Sequence, residues 1–376
     1  MDETGLIRLR SIAVTRRRLG IGAAALAGLA TAGLHGRPAR AAAHVAYLGW
    51  QGYDAPLLAD DALQAAGITL DTAYIGRDDE ILARLNTGGV GQIDIVTPDM
   101  GYIPALIAAG LIDPIDEPLV PNLARIMPLF RDQPAIHAGG RLYAVPFTWG
   151  SAPMLYDPAA HPMPPASWKD LLKPDYAGRI GMMDDPLGNT MLAALIVTDA
   201  RSATLLTRAE LEAAVDFLIE MKKQSRLVAG SWSELADALS RSDITVTFSG
   251  WEAIQKFCAD KGKAVEHGYP AEGTFAWIDS YCVVRDAPNR EAAHVLANQI
   301  IGVPAQISLA EQALQAIVNT EAIAALEPSL RVLYPYDDME SFGRKAQFFA
   351  FPPLDSDGRH ATYAEWIAEY ERFKNR

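Results

Sequence analysis

The apolar positions of this chain switch repeatedly between a period of two and a period of about 3.6. Residues 44–49 read as a strand, 55–66 as a helix and 68–75 as a second strand. A helix is predicted over 78–86, with acids in its first turn and Gly88-Gly89 beyond its end. The macrodipole favours those acids, and glycine suits the left-handed turn that stops a helix. A short apolar strand at 93–96 and a helix at 102–109 follow. This βαβα succession predicts a parallel sheet with helices on both faces. Ligands of such sheets sit outside the carboxyl ends of the strands. Segments 50–53 and 97–102 are two such ends.

Segment 113–134 is Pro-rich and irregular, after which 141–149 and 151–156 read as strands with Gly150 between them. Further strands are predicted at 179–183 and 244–248, among helices at 189–197, 208–223 and 231–239. Ser167-Trp168-Lys169-Asp170 and Ser231-Trp232-Ser233-Glu234 have the spacing of capping boxes. Helices at 289–301, 304–313 and 362–374 complete the pattern. The segment 273–282, GTFAWIDSYC, is a strand of aromatic and β-branched residues holding one carboxylate. Side chains of a strand alternate faces, so Trp277 and Asp279 point the same way. An indole and a carboxylate on one face can hold an apolar cation, the ring over methylene groups and the acid pairing the charge.

Composition changes this picture at the amino terminus. Residues 1–43 carry Thr15-Arg16-Arg17-Arg18-Leu19, an Ala- and Gly-rich apolar run to Leu34, and Ala41-Ala42-Ala43. That is the order of an export leader, with cleavage near Ala41 to Ala43, and the paired arginines point to the twin-arginine route. The run is too short and Gly-rich to span a bilayer well. A soluble periplasmic product is therefore expected. The whole chain has a net charge of −13; removing the leader's two acids and seven arginines leaves 44 acids against 26 bases, net −18. Such a surface argues against nucleic acid and favours cationic partners. Cys258 and Cys282 are equally compatible with a disulfide and with two buried thiols, because spacing does not set the geometry.

Most chemistry is absent. The histidines are scattered, no Cys cluster suits zinc, and neither a G-x-S-x-G elbow nor a P-loop is present. No catalytic group, metal or cofactor is expected, and Asp184-Asp185 is accounted for by a helix start. What recurs is aromatic residues at predicted strand ends and crossings: Trp50, Tyr53, Tyr102, Trp149, Trp251 and Trp277. Aromatics around a cleft suit a flexible ligand with apolar segments.

Several segments together resemble the extracellular solute-binding proteins of ABC importers, and among them the spermidine/putrescine-binding subfamily. They include Gly49-Trp50-Gln51-Gly52-Tyr53, Ile93-Asp94-Ile95-Val96-Thr97-Pro98, Arg141 to Gly150, Ser167 to Leu171, Met183-Asp184-Asp185-Pro186 and Glu272 to Ser280. The resemblance implies an α/β, two-lobed periplasmic binding protein fold of type II, each lobe a hinge-connected sheet flanked by helices. It places residues 44–149 and 276–319 in the first lobe, 150–275 and 320–376 in the second. It implies a monomer that binds a small cationic solute, without nucleic acid, and delivers it to ABC permease subunits. Carried over by position, the ligand-binding residues are Trp50, Tyr53, Asp99, Tyr102, Trp149, Asp185, Trp251, Trp277 and Asp279. Gly52 and Gly188 stand where such proteins often carry acids, and Pro352 or Pro353 where an amide is common. A diamine, or another compound with one or two cationic groups, then fits better than a triamine. Two other ligand classes stay open: ferric iron, for which Tyr334-Pro335-Tyr336 is the motif, and amino-acid or opine-like compounds. An enzyme processing amines or amides is the remaining alternative.

Overall fold

The computed structural model describes residues 43–58, 62–198, 202–348 and 350–376. The expected leader, 1–43, lies outside the described residues except for Ala43. Two sheets, each backed by its own apolar packing, form two lobes. The first runs Ala316–Ile317, Val145–Ser151, Thr274–Val284, Ile95–Val96, Ala43–Gly49, Ile68–Tyr74. Its last three strands pair in parallel, as the βαβ pattern predicts. The second runs Ser225–Ala229, Ile180–Met183, Val246–Phe248, Met154–Tyr156, Glu266–Gly268, parallel over the first three and antiparallel beyond.

The strand Thr274–Val284 joins the two. It pairs in parallel with Ala346–Phe348 at its start and antiparallel with Val145–Ser151 along its middle. Its end reaches Ile95–Val96 and Ile112–Asp113. Ala276 and Ile278 enter the first core, while Phe275 and Trp277 turn to the core of the second lobe. The alternation of a pleated strand is what divides them.

The partner strand differs from its prediction. The break expected at Gly150 comes later: the strand continues through Gly150 to Ser151 and stops short of Pro153, which has no N–H to give a ladder. There the Ser151 hydroxyl, the Ser151 amide at 3.3 Å and the Tyr269 hydroxyl at 3.1 Å all donate to the buried carboxylate of Glu252. Burial pushes that carboxyl up to about 7, against those donors.

Chain beyond residue 319 is expected in the second lobe. Ile323, Leu333, Tyr334 and Phe342 instead pack into the first core. The tail helix Tyr363–Lys374 does pack on the second, through Trp366, Tyr370 and Phe373. Cys282 is buried in the first core and Cys258 in a separate apolar cluster of the second lobe, and both are free thiols. Among the described residues no helix is long and apolar enough to cross a membrane.

Candidate functional site

Between the lobes lies a cavity of about 450 Å³. Loops at the carboxyl ends of parallel strands supply its first-lobe wall, as the topology predicts. After Ala43–Gly49 the chain turns at Gly52, whose φ of 96° favours glycine, and presents Trp50 and Tyr53. After Ile68–Tyr74 comes Asp78, and after Ile95–Val96 comes Asp99. From the joining strand, Phe275, Trp277 and Asp279 face the same cavity, two residues apart each time. The second lobe contributes Asp185, Leu187 and Gly188 at the start of the helix Pro186–Val197, with Trp232 from the first position of the helix Trp232–Ser240 and Trp251 from the loop after Val246–Phe248.

Three carboxylates gather at one end. Tyr53 donates its phenol hydrogen to Asp279 Oδ2 at 2.5 Å. Asp99 forms an isolated β-bridge with Asp279, and its backbone N–H donates to Asp78 Oδ1 at 3.0 Å. The Trp50 side chain also donates to Asp78. Asp99 Oδ1 accepts from the Gly101 N–H at 2.6 Å, while Asp99 Oδ2 is buried without a partner. None of these acids forms an ion pair with a described Lys, Arg or His. Their protonation follows. Burial, then the charge of Asp78, pushes Asp279 up to about 8. Burial and the charges of Asp279 and Asp78 hold Asp99 well above the usual carboxylate range. Burial pushes Asp78 up to about 6. Burial is the main cause for all three, and among the described residues no cation pairs with them to offset it.

The other end is simpler. Asp185 caps its helix, accepting from the N–H groups of Leu187 at 3.1 Å and Gly188 at 3.0 Å. Burial raises its pKa and those two N–H groups pull it back. Gly188 makes the room: a Cβ there would lie 2.1 Å from Asp185 Oδ2 and 2.6 Å from the Phe275 ring. Indoles line the space between. Trp232 and Trp251 have ring centroids 6.2 Å apart, and Trp251 Nε1 donates to the Tyr334 hydroxyl at 3.2 Å. Trp277 lies over Gly150, where a Cβ would come within 2.2 Å of the indole.

Of the residues singled out from sequence, Trp50, Tyr53, Asp99, Asp185, Trp251, Trp277 and Asp279 line this cavity. Trp149 and Tyr102 do not. Trp149 is wholly buried in the first core, its ring 5.0 Å from Phe342 and 5.2 Å from Phe130, its Nε1 donating to the Ile317 carbonyl at 3.2 Å. The pleat turns it away from the face on which Gly150 leaves space for Trp277. Tyr102 packs its ring 4.3 Å from Phe351, which in turn lies 4.7 Å from Tyr363. Five cavity residues were not anticipated: Asp78, Leu187, Trp232, Phe275 and Gln315. Asp78 follows a parallel strand, so the strand-end rule that pointed to Trp50 points to it too; its reading as a helix-start acid hid that. Phe275 shares the alternation of Trp277 and Asp279. Trp232 and Gln315 carried no local signal. Among the described residues no cluster of three or more His, Cys, Asp or Glu side chains is placed to hold a metal ion.

Residues 58–330 match the family described as bacterial extracellular solute-binding protein. The chain is 25% identical over 294 residues to the spermidine/putrescine-binding periplasmic protein of Escherichia coli K12, covering 77% of this chain and 82% of that one. It is 21% identical over 314 residues to the putrescine-binding periplasmic protein PotF of the same strain, covering 78% and 83%. In three dimensions it resembles the crystal structure of the spermidine/putrescine transporter binding protein PotD from Streptococcus pneumoniae. That match has a TM-score of 0.73 at 16% identity and covers 89% of this chain and 99% of that one.

Proposed function

We propose, from the premise that the chain belongs to the bacterial extracellular solute-binding protein family, that it captures a small polyamine or related cationic amine and delivers it to the permease of an ABC importer. One observation carries this reading. Asp78, Asp99 and Asp279 converge on one end of an aromatic cavity, with no described cation paired to them. A positive ligand group pairs with the charge of Asp78 and replaces the protons that Asp99 and Asp279 otherwise keep. Indoles cover the methylenes behind it, and Asp185 receives the far end. The relatives named above bind spermidine or putrescine, which fits the same chemistry.

The ligand-binding set is then Trp50, Tyr53, Asp78, Asp99, Asp185, Trp232, Trp251, Phe275, Trp277 and Asp279. The lobes close on the ligand by bending where Val145–Ser151 and Thr274–Val284 run between them. We place residues 320–348 with the first lobe, because their buried side chains lie in its core. Residues 1–43 act as a twin-arginine leader, so the mature chain works in the periplasm as a monomer and turns nothing over.

A thermal-shift panel on ligand-stripped protein tests the reading, since a ligand of the native state raises Tm by mass action. Putrescine, cadaverine, spermidine and agmatine are set against γ-aminobutyrate, arginine and ferric citrate. Amines without a carboxylate are expected to raise Tm most. A rise with ferric citrate or with the carboxylate-bearing compounds alone overturns the assignment.

A further inference from the structure

Gln315 lines the cavity, and its Oε1 is buried with no hydrogen-bond partner. An acceptor left unpaired on displacement of solvent is penalised, so a ligand that fills the cavity gains by donating to it. Its place in the sheet says where. Ala316 pairs with Trp149 and Ile317 with Thr148. Continuing that antiparallel register by one residue sets Gln315 beside Gly150, and Gly150 pairs with Trp277. Since a Cβ on Gly150 would lie 2.2 Å from Cζ2 of Trp277, the indole extends across Gly150 towards Gln315. The amide therefore stands at the rim of the aromatic floor.

That floor is the middle of the cavity. Along the joining strand, Asp279 lies two residues to one side of Trp277, about 7 Å away, and Phe275 two residues to the other. Phe275 marks the Asp185 end, because both crowd the space over Gly188. The two charged ends are thus separated by the aromatic floor with one unpaired acceptor beside it. A plain alkyl chain spanning the ends offers that acceptor nothing.

We propose, building on the amine reading above, that Gln315 is a specificity-determining residue: its Oε1 accepts a hydrogen bond from an N–H in the middle of the bound amine. The cavity then prefers amines with an internal donor, such as a secondary ammonium, over alkyl diamines of equal length. This departs from the expectation of a diamine, which rested on acids counted as missing at Gly52 and Gly188; Asp78 adds one the count did not include.

The test compares spermidine with 1,8-diaminooctane, which has the same chain length and no internal nitrogen, by calorimetry. Three proteins are measured: wild type, Gln315→Met, which keeps the volume and removes the acceptor, and Gln315→Glu, which keeps the acceptor and adds charge. Wild type is expected to prefer spermidine by at least about tenfold, the usual weight of a hydrogen bond to a charged group. Gln315→Met should lower that preference at least about fivefold, and Gln315→Glu should raise it. A preference unchanged within about twofold in Gln315→Met overturns the role of Gln315 while leaving the amine reading intact. If Gln315→Met does not fold, a preference equal to wild type in Gln315→Glu overturns it instead. If neither amine binds wild type, both the amine reading and the role of Gln315 fail.

Discussion

Tyr53 and Asp279, 226 residues apart in sequence, share a buried hydrogen bond of 2.5 Å. The bond ties the loop after the first strand to the strand that joins the lobes. It also leaves Asp279 with one firm donor while burial and Asp78 oppose its ionisation. A cation placed beside it would favour the ionised form and so offset part of what burial and Asp78 impose.

Replacing Asp279 by Asn keeps the shape and removes this charge. Losing one partner of a desolvated charge pair typically costs about 2–5 kcal/mol, so amine affinity should fall at least about thirtyfold. Asp94 is the contrast. Its carboxylate accepts from the Ala46 N–H at 2.8 Å and the Asn289 N–H at 2.6 Å, holding a strand to a helix start. Asp94→Asn should lower Tm and leave affinity within about threefold. Calorimetry showing the two variants with equal affinity removes Asp279 from the site.

The raised carboxyls set a pH dependence whose sign is fixed. Asp279, at about 8, holds a proton that the unfolded chain releases near its ordinary value of about 4. The ligand-free protein should thus lose stability as pH rises between those values. Alkyl amines stay charged throughout, since an ammonium of the lysine type titrates above about 10. Amine affinity should therefore climb from pH 6 towards pH 8.5, with net proton release on binding at pH 7. Calorimetry in buffers of different ionisation enthalpy measures the protons. An observed enthalpy independent of buffer would mean that Asp279 and Asp99 are already ionised in the empty site.

Gly150 is required by the indole rather than by backbone conformation. Gly150→Ala puts a methyl 2.2 Å from Trp277, so the ring must leave the cavity floor or the strands must part. Overpacking of this kind typically costs about 1–3 kcal/mol. A lower Tm, an altered Trp fluorescence and at least about tenfold weaker spermidine binding are expected together. Unchanged binding would place the ligand away from Trp277.

Trp149, next in sequence, should behave oppositely. Trp149→Phe leaves a void among Phe130, Tyr334 and Phe342 and removes the donor to the Ile317 carbonyl. Stability should drop by about 1–3 kcal/mol in denaturant titrations, with spermidine affinity within about threefold of wild type. A large affinity loss at unchanged stability would return Trp149 to the ligand.

Much of this protein was legible because local rules suffice for it. The two periods of hydrophobicity reported strands and helices close to where they lie: Arg208–Gln224 and Tyr363–Lys374 begin and end within a residue of the bounds the pattern predicts. Alternation put Trp277 and Asp279 on one face before any coordinate did, since a pleated strand has no other choice. The carboxyl-end rule pointed to the loops 50–53 and 97–102 and so to Trp50 and Tyr53, because a parallel sheet exposes those loops whatever its partners are; Asp99 came from the family resemblance, and Tyr102, in the same loop, lies outside the cavity.

Tertiary structure decided the rest wherever a residue's role depends on which surface meets it. Every residue of Val145–Ser151 is buried, so hydrophobicity carries no alternation from which to choose between Trp149 and the space over Gly150. Asp78 reads as a helix-start acid until the Asp99 amide and the Trp50 side chain donate to it. Nothing near Gln315 in sequence marks it; only the register of Ala316–Ile317 against Trp149 and Thr148 brings its amide to the cavity. Residues 320–348 pack on the first core because their apolar faces complement it, and complementarity between distant surfaces is not written in the period of either one.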